Sequence, residues 1–157
     1  MKYIVVTISD TSSLDAKKDL SGPEIVKFMS RDNDLLGKEI ISDDIDKITF
    51  TLNKWLAVED LDLILTTGGT GIGPRDVTPE ATKEVIEYEI PGIQELMRVK
   101  NYLKSDYVSL SRAIAGVKSR TLIINLPGSK KAVQENLIII YPLLKHAIEL
   151  INGNTKH

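Results

Sequence analysis

Short runs of aliphatic and β-branched residues alternate with helical periods along the whole chain, and this alternation restricts the fold more than any other feature. Tyr3-Ile4-Val5-Val6-Thr7-Ile8 reads as a first strand, Lys38-Glu39-Ile40-Ile41 as a second and Leu61-Asp62-Leu63-Ile64-Leu65 as a buried third. Between them, Pro23 opens a helix with Ile25, Val26, Phe28 and Met29 on one face, and another helix carries Ile45, Ile48, Leu52, Trp55 and Leu56 along one stripe, with Trp55 read as core. A helix from Pro79 to about Glu89 follows, with Thr78 as its N-cap. Pro91-Gly92 interrupts the pattern before a helix with Ile93, Leu96 and Met97. Ala113 to Val117 and Thr121 to Asn125 read as two strands joined by Lys118-Ser119-Arg120, which makes the sheet mixed. Lys130 to Ile151 is helical, with Pro142 breaking or kinking it. Such alternation specifies an α/β layered domain. No repeat or linker divides the 157 residues, so one domain, 1–157, is expected.

Two segments fit that scheme less simply. Ser9 to Gly22 is polar and too long for an ordinary connection, so it is either functional or mobile. Leu137, Ile138, Ile139, Ile140 and Tyr141 wrap around too much of the last helix for a solvated surface, and part of that stretch is expected to pack against another subunit.

Composition removes several classes of function. A net charge of −2 leaves no broad basic face, so nucleic acid is not an expected partner. The absence of cysteine excludes disulfides, thiolate zinc sites and thiol nucleophiles, and fits a reducing compartment. No apolar run approaches membrane-spanning length and no signal-peptide pattern opens the chain, so the expected location is cytoplasmic. His146 lies in an apolar helical pattern and His157 is terminal, which makes a Ser-His-Asp hydrolase implausible.

The run Thr66-Thr67-Gly68-Gly69-Thr70-Gly71-Ile72-Gly73-Pro74-Arg75-Asp76-Val77-Thr78-Pro79 supplies the positive chemistry. A strand, a glycine turn and a helix N-terminus present main-chain N–H groups to an anion. It is not a Walker A loop, because Pro74-Arg75 stand where Lys-Ser/Thr is required after Gly68 and Gly73. In open α/β sheets ligands bind beyond the carboxyl ends of the strands. Those ends carry Ser9-Asp10, Ser42-Asp43-Asp44, the glycine loop, and Asn125-Leu126-Pro127-Gly128-Ser129. For Asp43 and Asp44, helix capping and function weigh evenly. Asp76 would repel a bound phosphate unless a cation intervened, and Mg2+, which takes one or two carboxylates plus phosphate oxygens, is the natural one. Lys130 and Lys131 open a helix where cations oppose the dipole, so they mark either a second anion site or a solvated surface. Ser111-Arg112 reads as a phosphate contact or, for Arg112, a surface ion pair. Phosphate cradles and acidic metal ligands without a nucleophile–base pair suit phosphoryl or nucleotidyl transfer between bound phosphates.

Together, Ile8-Ser9-Asp10-Thr11, Asp19-x-Ser21-Gly22, the loop from Thr66 to Pro79, Ile90-Pro91-Gly92 with Glu95-Leu96-Met97-Arg98, Ser111-Arg112-Ala113 and Ile123-Ile124-Asn125-Leu126-Pro127-Gly128 resemble the MoaB/MogA family of molybdenum-cofactor biosynthesis, also seen as the G domain of gephyrin. The MoaB branch is the more similar. The resemblance implies a MogA-like three-layer α/β/α sandwich with a mostly parallel, mixed central sheet, assembled as a homo-oligomer, trimer or hexamer. It implies adenylylation of molybdopterin by Mg-ATP, giving adenylyl-molybdopterin and pyrophosphate, with transient contact to molybdopterin synthase and a MoeA-type metal insertase. Residue by residue, Asp43 and Asp76 take the two catalytic positions and hold Mg2+, with Asp44 as the alternative to Asp43. Ser9, Asp10, Thr67, Gly68, Gly69, Thr70, Gly71, Arg75, Ser111, Asn125, Pro127, Gly128 and Ser129 take substrate- and phosphate-binding positions. A non-catalytic molybdopterin carrier and a CinA-like nucleotide pyrophosphatase are the competing readings.

Overall fold

The computed structural model describes residues 1–154, so His157 lies outside the described residues. Strands β1 (Lys2–Ile8), β2 (Asp34–Ile41), β3 (Leu63–Thr67), β4 (Tyr88–Glu89), β5 (Ala115–Lys118) and β6 (Thr121–Leu126) form one sheet in the order β2-β1-β3-β6-β5-β4. The first four in that order are parallel, and β5 and β4 add an antiparallel edge. The helices are α1 (Asp10–Leu14), α2 (Ser21–Met29), α3 (Ile45–Leu56), α4 (Thr78–Val85), α5 (Pro91–Tyr102) and α6 (Lys130–Ile151). Short 3-10 turns cover Ala16–Lys18 and Asp106–Leu110.

Successive side chains of a strand point to opposite faces, and that parity divides the core in two. Tyr3, Val5, Leu63, Leu65, Leu122 and Ile124 pack with Ile25 and Met29 of α2, Ile93 and Met97 of α5, and Val133, Leu137, Ile140, Leu144 and Ile148 of α6. On the other face Ile4, Val6, Ile8, Ile64 and Ile123 meet Ile48 and Leu52 of α3 and Ala81 and Val85 of α4. This is the expected three-layer α/β/α sandwich, and its central strands read as continuous apolar runs because both faces are covered.

The departures from expectation have local causes. Helix α4 ends at Val85 because Ile86 turns extended and Tyr88 and Glu89 pair antiparallel with Val117 and Gly116. Thr78 is the first helical residue, not the N-cap, and its hydroxyl donates to the Gly68 carbonyl at 2.9 Å. Helix α2 starts at Ser21, two residues ahead of Pro23, and β2 starts at Asp34, ahead of Lys38. Trp55 is half-buried, packed on β2 where a Cβ at Gly37 would come within 2.1 Å of its ring. Pro142 does not break α6; the carbonyl deprived of its donor belongs to Ile138, on the helix's exposed flank. Of the run 137–141, Leu137 and Ile140 are fully buried and Ile139 and Tyr141 pack against the same core, leaving Ile138 exposed. The chain's own core therefore accounts for most of the apolar wrap for which another subunit was expected.

Candidate functional site

The carboxyl ends of β2, β1, β3 and β6 lie along one edge of the parallel part of the sheet, and the turns that leave them enclose a cavity of about 520 Å3. Its wall includes Ser9 after β1, Asp43 after β2, Thr67, Gly68 and Gly69 from the end of β3, Asp76 from the glycine loop, and Gly128, Ser129 and Lys130 after β6. Thr11, Ser12, Lys18, Asp19, Leu20 and Ser21 complete it from the segment after β1.

The floor is made of main chain. Gly68 and Gly69 hold φ of +99° and +61°, and a Cβ at Gly68 would come 2.1 Å from the Ile8 carbonyl oxygen. The Gly68 N–H donates to Leu126 O at 3.1 Å and the Thr67 hydroxyl donates to Pro127 O at 2.8 Å, so the β3 and β6 turns are tied together. The N–H groups of Gly69 and Gly128 have no hydrogen-bond partner among the described residues.

One arginine fixes the rest of the loop. The Arg112 N–H donates to Thr70 O at 2.8 Å, its Nε to Gly71 O at 2.6 Å and its Nη2 to Asp76 O, while Nη1 pairs with Glu80. Of its two anticipated roles, ion pair and phosphate contact, the first is realised. Asp76 closes the loop on itself by accepting the Gly73 N–H at 2.7 Å, and its carboxylate fills the space that a Cβ at Gly71 or Gly73 would need.

The two neighbouring aspartates after β2 separate cleanly. Asp44 caps α3, accepting the Lys47 N–H at 3.0 Å. Asp43 lines the cavity instead. Its carboxylate accepts the Asp10 N–H at 2.7 Å, and its own N–H donates to the Asp10 carboxylate at 3.1 Å. Burial raises the Asp43 pKa above the ordinary carboxylate range, and the like charges of Asp10 and Asp76 add to the rise against the Asp10 N–H and Arg75, which oppose it. The charge of Asp76 therefore reaches Asp43, and both line the same cavity. Arg75 forks onto Asp10 through Nε at 3.0 Å and Nη2 at 3.1 Å, which holds the Asp10 carboxyl below its usual range.

A second cavity of about 340 Å3 lies on the β6 side, between α5, α6 and the 106–110 turn. Ser111, Ala113, Pro127, Ser129, Lys131, Tyr107 and Val108 contribute to it. Asn101 Nδ2 donates to Asn136 Oδ1 at 3.2 Å and to Met97 O at 3.0 Å, and Gln94 Oε1 accepts the Ala115 N–H at 2.8 Å. Ser129, the N-cap of α6, is common to both cavities.

The candidate residues are thus sorted into four places. Ser9, Asp43, Thr67, Gly68, Gly69, Asp76, Gly128 and Ser129 line the first cavity, and Ser111, Pro127 and Ser129 line the second. Asp10, Thr70, Gly71 and Arg75 stand outside both walls as supports, so Arg75 meets a carboxylate where a phosphate was expected. Asn125 is fully buried, where it donates to Thr66 Oγ1 and Thr82 Oγ1, each at 2.9 Å, and faces no cavity. The paired Lys130 and Lys131 diverge, one to each cavity, and Lys130 pairs with Glu24 at 3.4 Å. Lys18, Gln94 and Asn101 carried no sequence signal; Asp19 was visible only as part of the Asp19-x-Ser21-Gly22 motif.

Among the described residues no three His, Cys, Asp or Glu side chains cluster as a metal cage. Two carboxylates from different loops beside unpartnered N–H groups nevertheless fit Mg2+, which completes its shell with phosphate oxygens and water. No helix among the described residues is long and apolar enough to cross a membrane.

Known proteins resemble this chain in sequence and fold. The pattern of one domain family, described as "Probable molybdopterin binding domain", matches residues 4–146. The molybdenum cofactor synthesis protein cinnamon of Drosophila melanogaster is 43% identical over 96% of this chain, which spans only 25% of that relative's length. The molybdopterin adenylyltransferase of Helicobacter pylori strain J99 is 40% identical over 96% of this chain and 87% of its own length. The crystal structure of MoaB from Thermus thermophilus, described as a molybdopterin biosynthesis enzyme, superposes with a TM-score of 0.90 at 40% identity, covering 97% of this chain and 96% of that one.

Proposed function

The chain belongs to the family of molybdopterin-binding domains, and on that premise we propose that it is a molybdopterin adenylyltransferase working in molybdenum-cofactor biosynthesis. The observation that carries the proposal is the meeting of Asp43 and Asp76, from two separate loops, on one cavity wall beside main-chain N–H groups that lack partners. The 40% identity to an adenylyltransferase over 96% of the chain supports the same reaction.

ATP occupies the strand-end cavity and the pterin the neighbouring one, with the pterin's terminal phosphate reaching across Ser129. An oxygen of that phosphate forms a bond to the α-phosphorus of ATP as the bond from that phosphorus to its bridging oxygen breaks. The electron pair leaves with pyrophosphate, and adenylyl-molybdopterin remains. Asp43 and Asp76 would hold Mg2+, whose chemistry here is charge compensation on phosphate oxygens. The protein's own part is positional. Gly69 and Gly128 offer N–H donors to phosphate oxygens, Arg112 holds the loop that carries Asp76, and the Asp10 main chain aims Asp43. Family membership further supports a homo-oligomer, trimer or hexamer, in the cytoplasm that passes its product to a MoeA-type insertase.

Incubation with molybdopterin, ATP and Mg2+ is expected to release pyrophosphate in step with adenylyl-molybdopterin. Absence of release with authentic pterin would overturn the proposal. Tight pterin binding without measurable affinity for Mg-ATP would mark a carrier instead.

A further inference from the structure

The cavity that receives the nucleotide has a cation whose charge the fold leaves unused. Of the positively charged residues on or beside its wall, Arg75 is forked onto Asp10 and Lys130 is paired with Glu24. Lys18 lines the same cavity and makes no ion pair or side-chain hydrogen bond among the described residues. The carboxylates of Asp43 and Asp76 also line it, and neither forms an ion pair with a lysine among the described residues.

The backbone under Lys18 is fixed with unusual care for a surface turn. Asp15 caps the turn by accepting the Lys17 N–H at 3.2 Å, and the Lys18 N–H donates to Asp15 O at 3.0 Å. The next residue, Asp19, is only 5% exposed, and its carboxylate accepts the Thr7 hydroxyl at 2.9 Å, the Gly22 N–H at 2.9 Å and the Ser21 hydroxyl at 3.3 Å. Any Cβ at Gly22 would come 2.5 Å from both Asp19 Oδ2 and Thr7 Oγ1, so the glycine is what lets this anchor form. The Asp19-x-Ser21-Gly22 motif thus bolts the 15–21 segment to β1, and Lys18 stands one residue from the bolt.

Sheet order gives the direction. The second cavity lies on the β6 side of the site, whereas the segment bearing Lys18 leaves β1, two strands away in the order β1-β3-β6. Lys18 therefore reaches the first cavity from the side away from the second.

We propose that Lys18 is a substrate contact, donating to the β- and γ-phosphates of ATP and balancing the charge that departs as pyrophosphate. This inference rests on the nucleotide reading of the strand-end cavity. A lysine serves such a role as a point charge with three donors, without needing the planar geometry of an arginine fork.

Titration calorimetry of Mg-ATP and of AMP against the full chain tests it, using Lys18→Ala, Lys18→Arg and, as a control, Lys17→Ala on the adjacent exposed lysine that does not line the cavity. Loss of one charge-assisted contact is expected to weaken Mg-ATP binding about tenfold in Lys18→Ala. AMP, which lacks the two outer phosphates, and molybdopterin should bind unchanged, Lys18→Arg should recover most of the loss, and Lys17→Ala should match the parent. Equal Mg-ATP affinity in Lys18→Ala and the parent, an equal loss in Lys17→Ala, or a matching loss for AMP or the pterin would each overturn the assignment. A parent chain that binds no Mg-ATP would instead bring down the nucleotide reading and this inference with it.

Discussion

The strand-end cavity is walled by main-chain turns and loop carboxylates, whereas its neighbour across Ser129 is walled by side chains of α5, α6 and the 106–110 turn. The first draws its shape from backbone conformations that few residue types permit, such as the positive φ of Gly68 and Gly69. The second draws its shape from which side chains face one another after two helices pack. A motif in one stretch of sequence can encode the former. The latter depends on pairs such as Asn101 and Asn136, which meet only in three dimensions.

If that contrast holds, substitutions should separate the two cavities. The largest effect is expected from Asp76→Asn, which should slow adenylyl transfer by about a hundredfold or more, near 3 kcal/mol in the barrier, while pterin binding stays intact. Single-turnover kinetics with pterin binding measured in parallel checks this, and unchanged turnover would remove Asp76 from the mechanism. Gly68→Ala should cost about 2–3 kcal/mol of stability in urea unfolding, because the new Cβ meets the Ile8 carbonyl at a positive φ. Gly92→Ala, in open space at the start of α5, should be neutral or slightly stabilising in the same assay.

Asn101→Ala should cost about 1–2 kcal/mol, since it leaves Asn136 Oδ1 without its Asn101 donor in a buried setting and removes the side-chain bond that supplements the helical one at Met97 O. Binding assays should show weaker pterin and unaltered Mg-ATP; a loss confined to the nucleotide would invert the assignment of the cavities. A smaller effect than that of Asn101 concerns Asp43. Its pKa is raised in the folded chain, so the folded state holds that proton more tightly than the unfolded one. Ionising Asp43 therefore costs stability as pH rises from the ordinary carboxylate value through the raised one. Asp43→Asn keeps an acceptor for the Asp10 N–H and removes the charge, so it should stabilise the fold at pH 7 by on the order of 0.5 kcal/mol after solvent screening. That gain should vanish below about pH 4, the ordinary carboxylate value, and a gain independent of pH would refute the electrostatic origin.

The same contrast explains what was legible. Strand periods, the glycine loop and the strand-end carboxylates stand in contiguous sequence, and the layers and the first cavity follow from them. Arg75 read as a phosphate ligand because guanidinium suits phosphate and carboxylate alike, and only the fold brings Asp10, 65 positions away, within its fork. Asn125 sits at a strand end, as a ligand contact would, yet strand parity turns it inward to Thr66 and Thr82. Strand β4 spans two residues and owes its existence to the neighbouring β5, so no local periodicity announces it. Pro142 leaves α6 whole because the neighbouring turns already lie on a packed core, a tertiary override of local propensity.

Gly128 rests on the α-carbon of Gly68, with a Cβ placed there only 3.3 Å away. Two turns far apart along the chain thus touch backbone to backbone, with no side chain between them to absorb a change in either. A side chain at Gly128 would push the Gly68 turn aside by a few tenths of an ångström, so the width of the mouth of the sheet is set by how closely two bare stretches of main chain lie together.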